Sequence, residues 1–243
     1  MPIDLTILFD NEPGRPDLER LWGFAALIDA HGRRVLFDSG SNGRVLLRNM
    51  RRLEIDPTGI DLIFLSHAHW DHIGGLDSIL ELTPKATVVV HAGFSKHLIA
   101  DLERLCAGLV VVDEAPVELA PGLISTGMLP SEPPEHALII LDDNPAHVAL
   151  VTGCAHPGIA ELTARAAEVS GRPVAWAIGG FHLMYSDPTS IAATADRLHE
   201  QGVQRLLATH CTGPVAREML AARWGTSFIS GGLGGTIRLD LPS

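Results

Sequence analysis

Lysine is nearly missing from this chain of 243 residues: Lys85 and Lys96 are the only two among 18 basic side chains, and no arginine run stands in for them. With 29 acidic residues the formal net charge is -11. That balance opposes the phosphate-neutralising surface of a nucleic-acid binder, so no nucleic-acid partner is expected. A small, anionic substrate stays compatible with it, because a local pocket can differ in sign from the surface around it. Charge of either sign is scarce, at 19% against about 25% in an average soluble domain, while 46% of residues are apolar, which excludes intrinsic disorder. Cys106, Cys154 and Cys211 are odd in number and lack C-x-x-C spacing, which suggests neither a disulfide framework nor a structural zinc knuckle and favours a reducing compartment. The first ten residues carry neither a basic segment nor an apolar one of signal-peptide type. No apolar run reaches the roughly 18 residues of a membrane span. The expectation is a cytoplasmic protein acting on a small molecule, with no membrane partner and with its oligomeric state left open.

Histidine is what the chain has instead, twelve of them beside a single tyrosine. Their setting follows from the apolar pattern. Ile3 to Phe9, Phe24 to Asp29 and Arg33 to Asp38 read as consecutive antiparallel strands, with a polar loop from Asp10 to Arg20 between the first two. A helix is predicted over Gly43 to Leu53, a buried strand over Ile60 to Leu65, a helix over Gly74 to Leu82, a strand over Ala86 to Val90 and a helix over Ser95 to Leu105. Short strands punctuated by proline and glycine follow from Leu109 to Leu150. Strand and helix then alternate again: Val148 to Thr152, Ile159 to Val169, Pro173 to Ile178, Ser190 to Glu200, Arg205 to Thr209 and Val215 to Ala222, with closing strands near Ser227 to Ile229 and Thr236 to Leu241. Strands followed by βα units thus occur twice, with the halves meeting near residues 130 to 140. An α/β fold, a four-layer αββα sandwich of two mixed sheets, accommodates this pattern. No long polar linker separates the halves, so residues 1–243 are expected to form a single domain.

The densest chemistry lies in Ser66-His67-Ala68-His69-Trp70-Asp71-His72-Ile73-Gly74-Gly75, directly after the buried strand. Three imidazoles and a carboxylate leave the C-terminal end of one strand together, where ligand sites of α/β sheets lie. These donors suit zinc, and also iron or manganese. In a tight loop His67 and His69 can share one ion while Asp71 and His72 turn towards a second.

This H-x-H-x-D-H segment resembles the signature of the metallo-β-lactamase-fold superfamily. Asp38-Ser39-Gly40 is similar to that superfamily's early Asp-Ser/Thr-Gly motif, whose aspartate supports the metal loop. His210, ending the strand Leu206 to Thr209, matches its late histidine on the second metal. A departure occurs after Val148 to Thr152, where Cys154 fills the usual place of a bridging aspartate and His156 follows two residues on. Two assignments remain: His156 as the third ligand of the first metal with no carboxylate bridge, or His136 or His91 in that role with Cys154 as a ligand. The first is favoured because Thr152-Gly-Cys-Ala-His-Pro-Gly158 joins an apolar strand to a helix.

That block, with Phe9-Asp10-Asn11, Gly179-Gly-Phe-His-Leu183 and Thr209-His-Cys-Thr-Gly213, resembles the dihydropterin-ribofuranosylaminobenzene-phosphate synthase-like subfamily. The resemblance implies two divalent metal ions, zinc first, held by His67, His69, Asp71, His72, His156 and His210. It implies a hydrolase in which a metal-held hydroxide attacks a small ester, amide or phosphoester, with a synthase of pterin metabolism as the alternative. Asp71 and His182 are the catalytic candidates, His182 because it ends a strand and its imidazole titrates in the range needed to protonate a leaving atom.

Overall fold

A computed structural model describes residues 3–141 and 146–239. These divide into two compact units, one built from residues up to Asp113 together with Gly232–Arg238, the other from Glu114–Gly231.

The first unit carries a seven-stranded sheet. Its elements are β1 (Asp4–Phe9), β2 (Ala25–Ala30), β3 (Arg33–Phe37), helix α1 (Gly43–Arg52), β4 (Leu62–Phe64), α2 (Trp70–Ile73), α3 (Leu76–Leu80), β5 (Thr87–His91), α4 (Lys96–Leu105) and β6 (Gly108–Val112). The last strand of the chain, β13 (Thr236–Arg238), returns to pair with β1. The sheet order is β13-β1-β2-β3-β4-β5-β6. Pairing is antiparallel from β13 through β3, with Leu5 opposite Ile28 and Leu27 opposite Leu36, and parallel from β3 to β6. The parallel strands are short apolar runs because helices join them in sequence and cover one face. Leu46 and Met50 of α1, Leu76 and Ile79 of α3 and Leu102 of α4 pack with Leu36, Ile63, Val88 and Val90 of the sheet in one buried cluster. Helix α1 starts where it does because the Asn42 side chain accepts from the N–H groups of Arg44 and Val45, and Arg51 and Arg52 sit in its last turn, where cations are favoured.

The second unit carries a six-stranded sheet of order β12-β11-β10-β9-β8-β7. Here β7 is Val117–Ala120, β8 Leu123–Ser125, β9 Leu138–Leu141, β10 Val148–Thr152, β11 Val174–Gly180 and β12 Arg205–Thr209, with helices α5 (Ile159–Ser170), α6 (Pro188–Glu200) and α7 (Pro214–Trp224). Strands β7 to β10 are antiparallel, while β10, β11 and β12 are parallel. The loops after the last three strands therefore all leave the same edge of this sheet. Ile159 and Leu162 of α5, Ile191 and Leu198 of α6 and Ala216 and Leu220 of α7 form its core with Leu150, Ala177 and Leu206.

Both sheets are mixed and flanked by helices, which is the expected α/β class. Three local expectations change. The helix predicted from Gly74 to Leu82 is shorter, because Gly74 closes α2 and Gly75 caps α3. Ser227 to Ile229 form no strand: a 3-10 turn at Gly225–Ser227 leaves one bridge, from Leu206 to Phe228. The units divide at Asp113 rather than near residues 130 to 140. Of the strand predicted to reach Leu241, residues 240–241 lie outside the described residues.

Candidate metal centre

The histidine loop of the first unit begins one residue past β4. Ser66, His67 and His72 are fully buried, Asp71 is nearly so, and His69 is exposed. One carboxylate organises them. Asp38, which follows β3 in a left-handed conformation (φ 56°), accepts from the Ser66 N–H at 2.8 Å, from the Ser66 hydroxyl at 2.8 Å and from His72 Nδ1 at 2.7 Å. A carboxylate only accepts, so His72 carries its proton on Nδ1 and presents a lone pair at Nε2. The Ser66 hydroxyl gives its single proton to Asp38 and so accepts from His67 Nδ1, 2.9 Å away, which fixes the same tautomer on His67. The loop's backbone is tied back as well: the Ser39 N–H and hydroxyl donate to the His72 carbonyl at 2.7 and 2.9 Å, and the Phe24 N–H to the Asp71 carbonyl at 3.2 Å. Gly75 is required at its position, since a Cβ there would stand 2.2 Å from the Ser39 carbonyl oxygen.

The outcome is two adjacent donor pairs. His67 Nε2 lies 3.2 Å from His69 Nδ1, and His72 Nε2 lies 3.8 Å from Asp71 Oδ2. The His67 and His72 rings are 4.2 Å apart between centroids. Two nitrogens bound to one tetrahedral zinc at about 2.0–2.1 Å stand roughly 3.3 Å apart. The His67–His69 spacing therefore fits a shared ion.

In the second unit the candidate groups come from the three parallel strand ends. Cys154 and His156 follow β10, His182 follows β11, and His210 and Cys211 follow β12. Ligand atoms of Cys154, His156 and His182 lie within 4.8 Å of one another, as do those of Cys154, His210 and Cys211. The His156 and His182 rings are 4.4 Å apart. Three of the residues that aim these groups, Ala155 (φ 57°), His182 (φ 52°) and His210 (φ 50°), have left-handed backbone, a cost that functional loops commonly carry. Gly179 lets β11 approach: paired with Thr152, it would put a Cβ 2.0 Å from the Thr152 carbonyl oxygen.

Thiol and imidazole interact here. The Cys211 thiol raises the pKa of the His182 imidazole above its ordinary value. Burial opposes ionisation of Cys211, but hydrogen bonds with Cys154 and His182 and the nearby His210 hold its pKa well below the ordinary thiol value.

The sequence pointed past one residue. Glu135 is fully buried and accepts from the Thr152 hydroxyl and from the N–H groups of Gly153, Cys154 and Ala155 at Oε1, and from the His156 N–H at Oε2, over 2.7 to 3.1 Å. Burial pushes its carboxyl pKa up, while these donors pull the other way. Its neighbour His136 instead bonds Ser125 Oγ through Nδ1 at 2.9 Å, and His91 Nδ1 accepts from the Gly93 N–H at 3.1 Å. Among the described residues neither histidine falls in a group of three potential ligands.

Comparison with known proteins agrees with this architecture. A family model described as the metallo-beta-lactamase superfamily matches residues 23–210. The chain belongs to that superfamily. The 7,8-dihydropterin-6-methyl-4-(beta-D-ribofuranosyl)-aminobenzene-5'-phosphate synthase of Methanocaldococcus jannaschii is 29% identical over 250 residues, covering 84% of this chain and 85% of that one. Among solved structures, Tm1679, a metal-dependent hydrolase of the beta-lactamase superfamily, superposes with a TM-score of 0.78 at 24% identity, covering 99% of this chain and 100% of the other. The short form of human tRNase Z superposes at 0.63 with 14% identity over 98% of this chain and 100% of the other. Both likenesses are of fold. Since an enzyme named for tRNA shares this fold, fold alone does not exclude a nucleic-acid substrate. No helix among the described residues is long and apolar enough to cross a membrane.

Proposed function

We propose that this superfamily member is a binuclear metal-dependent hydrolase of a small ester, amide or phosphoester, with residues 1–243 acting as one functional domain. Its ligands are His67, His69, Asp71, His72, His156 and His210, and zinc is the first choice of ion. The observation that carries the reading is the 3.2 Å approach of His67 Nε2 to His69 Nδ1 in a loop whose tautomers a buried aspartate sets. Divalent ions held by these residues would lower the pKa of bound water and polarise a substrate oxygen. The chain's own groups do the rest. Asp38 and Ser66 keep Nε2 of His67 and His72 deprotonated and aimed, Asp71 adds a negative oxygen beside His72, and His182, exposed at the end of β11, donates a proton to the leaving atom or orients the substrate.

The test is a panel of phosphodiesters, lactones and thioesters assayed with the zinc-, iron- and manganese-loaded chain. At least one class is expected to turn over and to lose turnover in His67→Ala. In His182→Ala the expected change is a fall in rate with loss of one limb of the pH-rate profile. Turnover and profile unchanged in His182→Ala would remove that residue from the mechanism, and no turnover of any class with two ions bound would remove hydrolysis.

The 29% identity with the synthase over 84% of the chain favours a second reading, joining of a dihydropterin to a phosphorylated ribofuranosyl-aminobenzene. It predicts consumption of that pair by the same loaded protein, with the panel above left intact.

A further inference from the structure

The loop from Thr152 to His156 is an anion nest whose anion is part of the chain. Three successive backbone N–H groups, of Gly153, Cys154 and Ala155, converge on one oxygen of Glu135 at 3.0, 3.0 and 3.1 Å, joined by the Thr152 hydroxyl at 2.7 Å. The His156 N–H takes the other oxygen at 2.9 Å. Such concavities of consecutive N–H groups bind anions. The carboxylate that fills this one comes from 17 to 21 residues away, at the mouth of β9. Ala155, from whose N–H it accepts, lies between Cys154 and His156 and has left-handed backbone (φ 57°).

We infer that Glu135 is the positioning residue of the second unit's ligand loop, fixing Cys154 and His156 through their backbone as Asp38 fixes His67 and His72 through their side chains. Glu135 need not touch an ion to do this. The inference rests on the metal reading above, and it assigns to the Cys154–His156 loop a rigidity that its own sequence does not supply. Glutamine cannot replace the carboxylate. Its single oxygen can face the four donors or the His156 N–H but not both, so its NH2 group meets a donor in either orientation.

Titration of the metal-free chain with Co2+, followed by its visible absorption, tests this well below the unfolding temperature. The parent is expected to take up two equivalents. In Glu135→Gln at least one should weaken by about 10- to 100-fold, with an altered absorption spectrum. Ile191→Ala, in the same unit's core, serves as the control: it should lower the unfolding temperature while leaving the titration unchanged. Should Glu135→Gln fail to fold, Thr152→Val, which keeps the shape but removes the hydroxyl that donates to Glu135 and accepts from the Ala155 N–H, should still weaken one equivalent by at least about threefold, the effect of losing one modest hydrogen bond. Co2+ curves within twofold of the parent in the folded variants would overturn the inference and leave the metal reading intact. A parent that binds no Co2+ would overturn both.

Discussion

In the first unit four candidate ligands come from six consecutive residues, and one carboxylate orders His72 directly and His67 through Ser66; in the second two candidate ligands and His182 come from three separate strand ends, and a carboxylate grips backbone. The difference follows from connectivity. A contiguous loop already brings its side chains together, so Asp38 has only to choose tautomers and orientation. Site groups scattered over the ends of β10, β11 and β12 are brought together by the sheet, and what remains to be fixed is the path of the chain at each strand end. Left-handed residues, paired glycines and a buried glutamate supply that.

Substitutions separate the two means of support. The largest loss is expected from Asp38→Ala, which leaves three buried donors without their acceptor and puts alanine at φ 56°. Urea unfolding should show a loss of about 3 kcal/mol or more, and Asp38→Asn, which tolerates that backbone and keeps one oxygen, should lose less. Equal losses in the two variants would mean that the charge, not the geometry, holds the first cluster. Gly179→Ala strikes the second cluster through the sheet. Its Cβ would stand 2.0 Å from the Thr152 carbonyl oxygen, so a loss of about 2 to 3 kcal/mol is expected, and an unchanged unfolding midpoint would show that β10 and β11 separate easily there. Asn42→Ala removes the cap of α1, which follows the Asp38 motif. It should cost about 1 kcal/mol of stability with metal uptake unchanged, and altered uptake would show that the helix start aims the ligands.

The smallest effect concerns Asp187, the cap of α6 that follows the His182 loop. The Ser190 hydroxyl and the N–H groups of Ser190 and Thr189 hold its pKa below the ordinary value. A carboxylate depressed in the folded state stabilises above its unfolded pKa, and that contribution is lost as pH falls through the folded value. Asp187→Asn should therefore flatten the stability-pH curve slightly below about pH 4, as measured by thermal unfolding across acid pH. A curve parallel to the parent's would place the acid sensitivity elsewhere.

How much of this was legible follows the same division. The cluster from His67 to His72 and its partner Asp38 were readable because chemistry and spacing coincide in one short segment. The alternation of strands and helices was readable from apolar runs, and with it the two mixed sheets. Glu135 was not, because a side chain that accepts backbone N–H groups imposes no residue type on its partners and leaves no spacing to find. The break between α2 and α3 was hidden for a different reason: Gly74 and Gly75 are there for close approach to the backbone of Ser39 and Ser41, a tertiary requirement that helical periodicity does not register.

Metal content of the purified chain tests the central claim most directly. Expressed with zinc and passed through gel filtration, the folded chain should carry two equivalents per molecule by elemental analysis, with His67→Ala and His210→Ala each carrying fewer. A well-folded parent carrying none, with no uptake of added zinc, iron or manganese, would contradict the account.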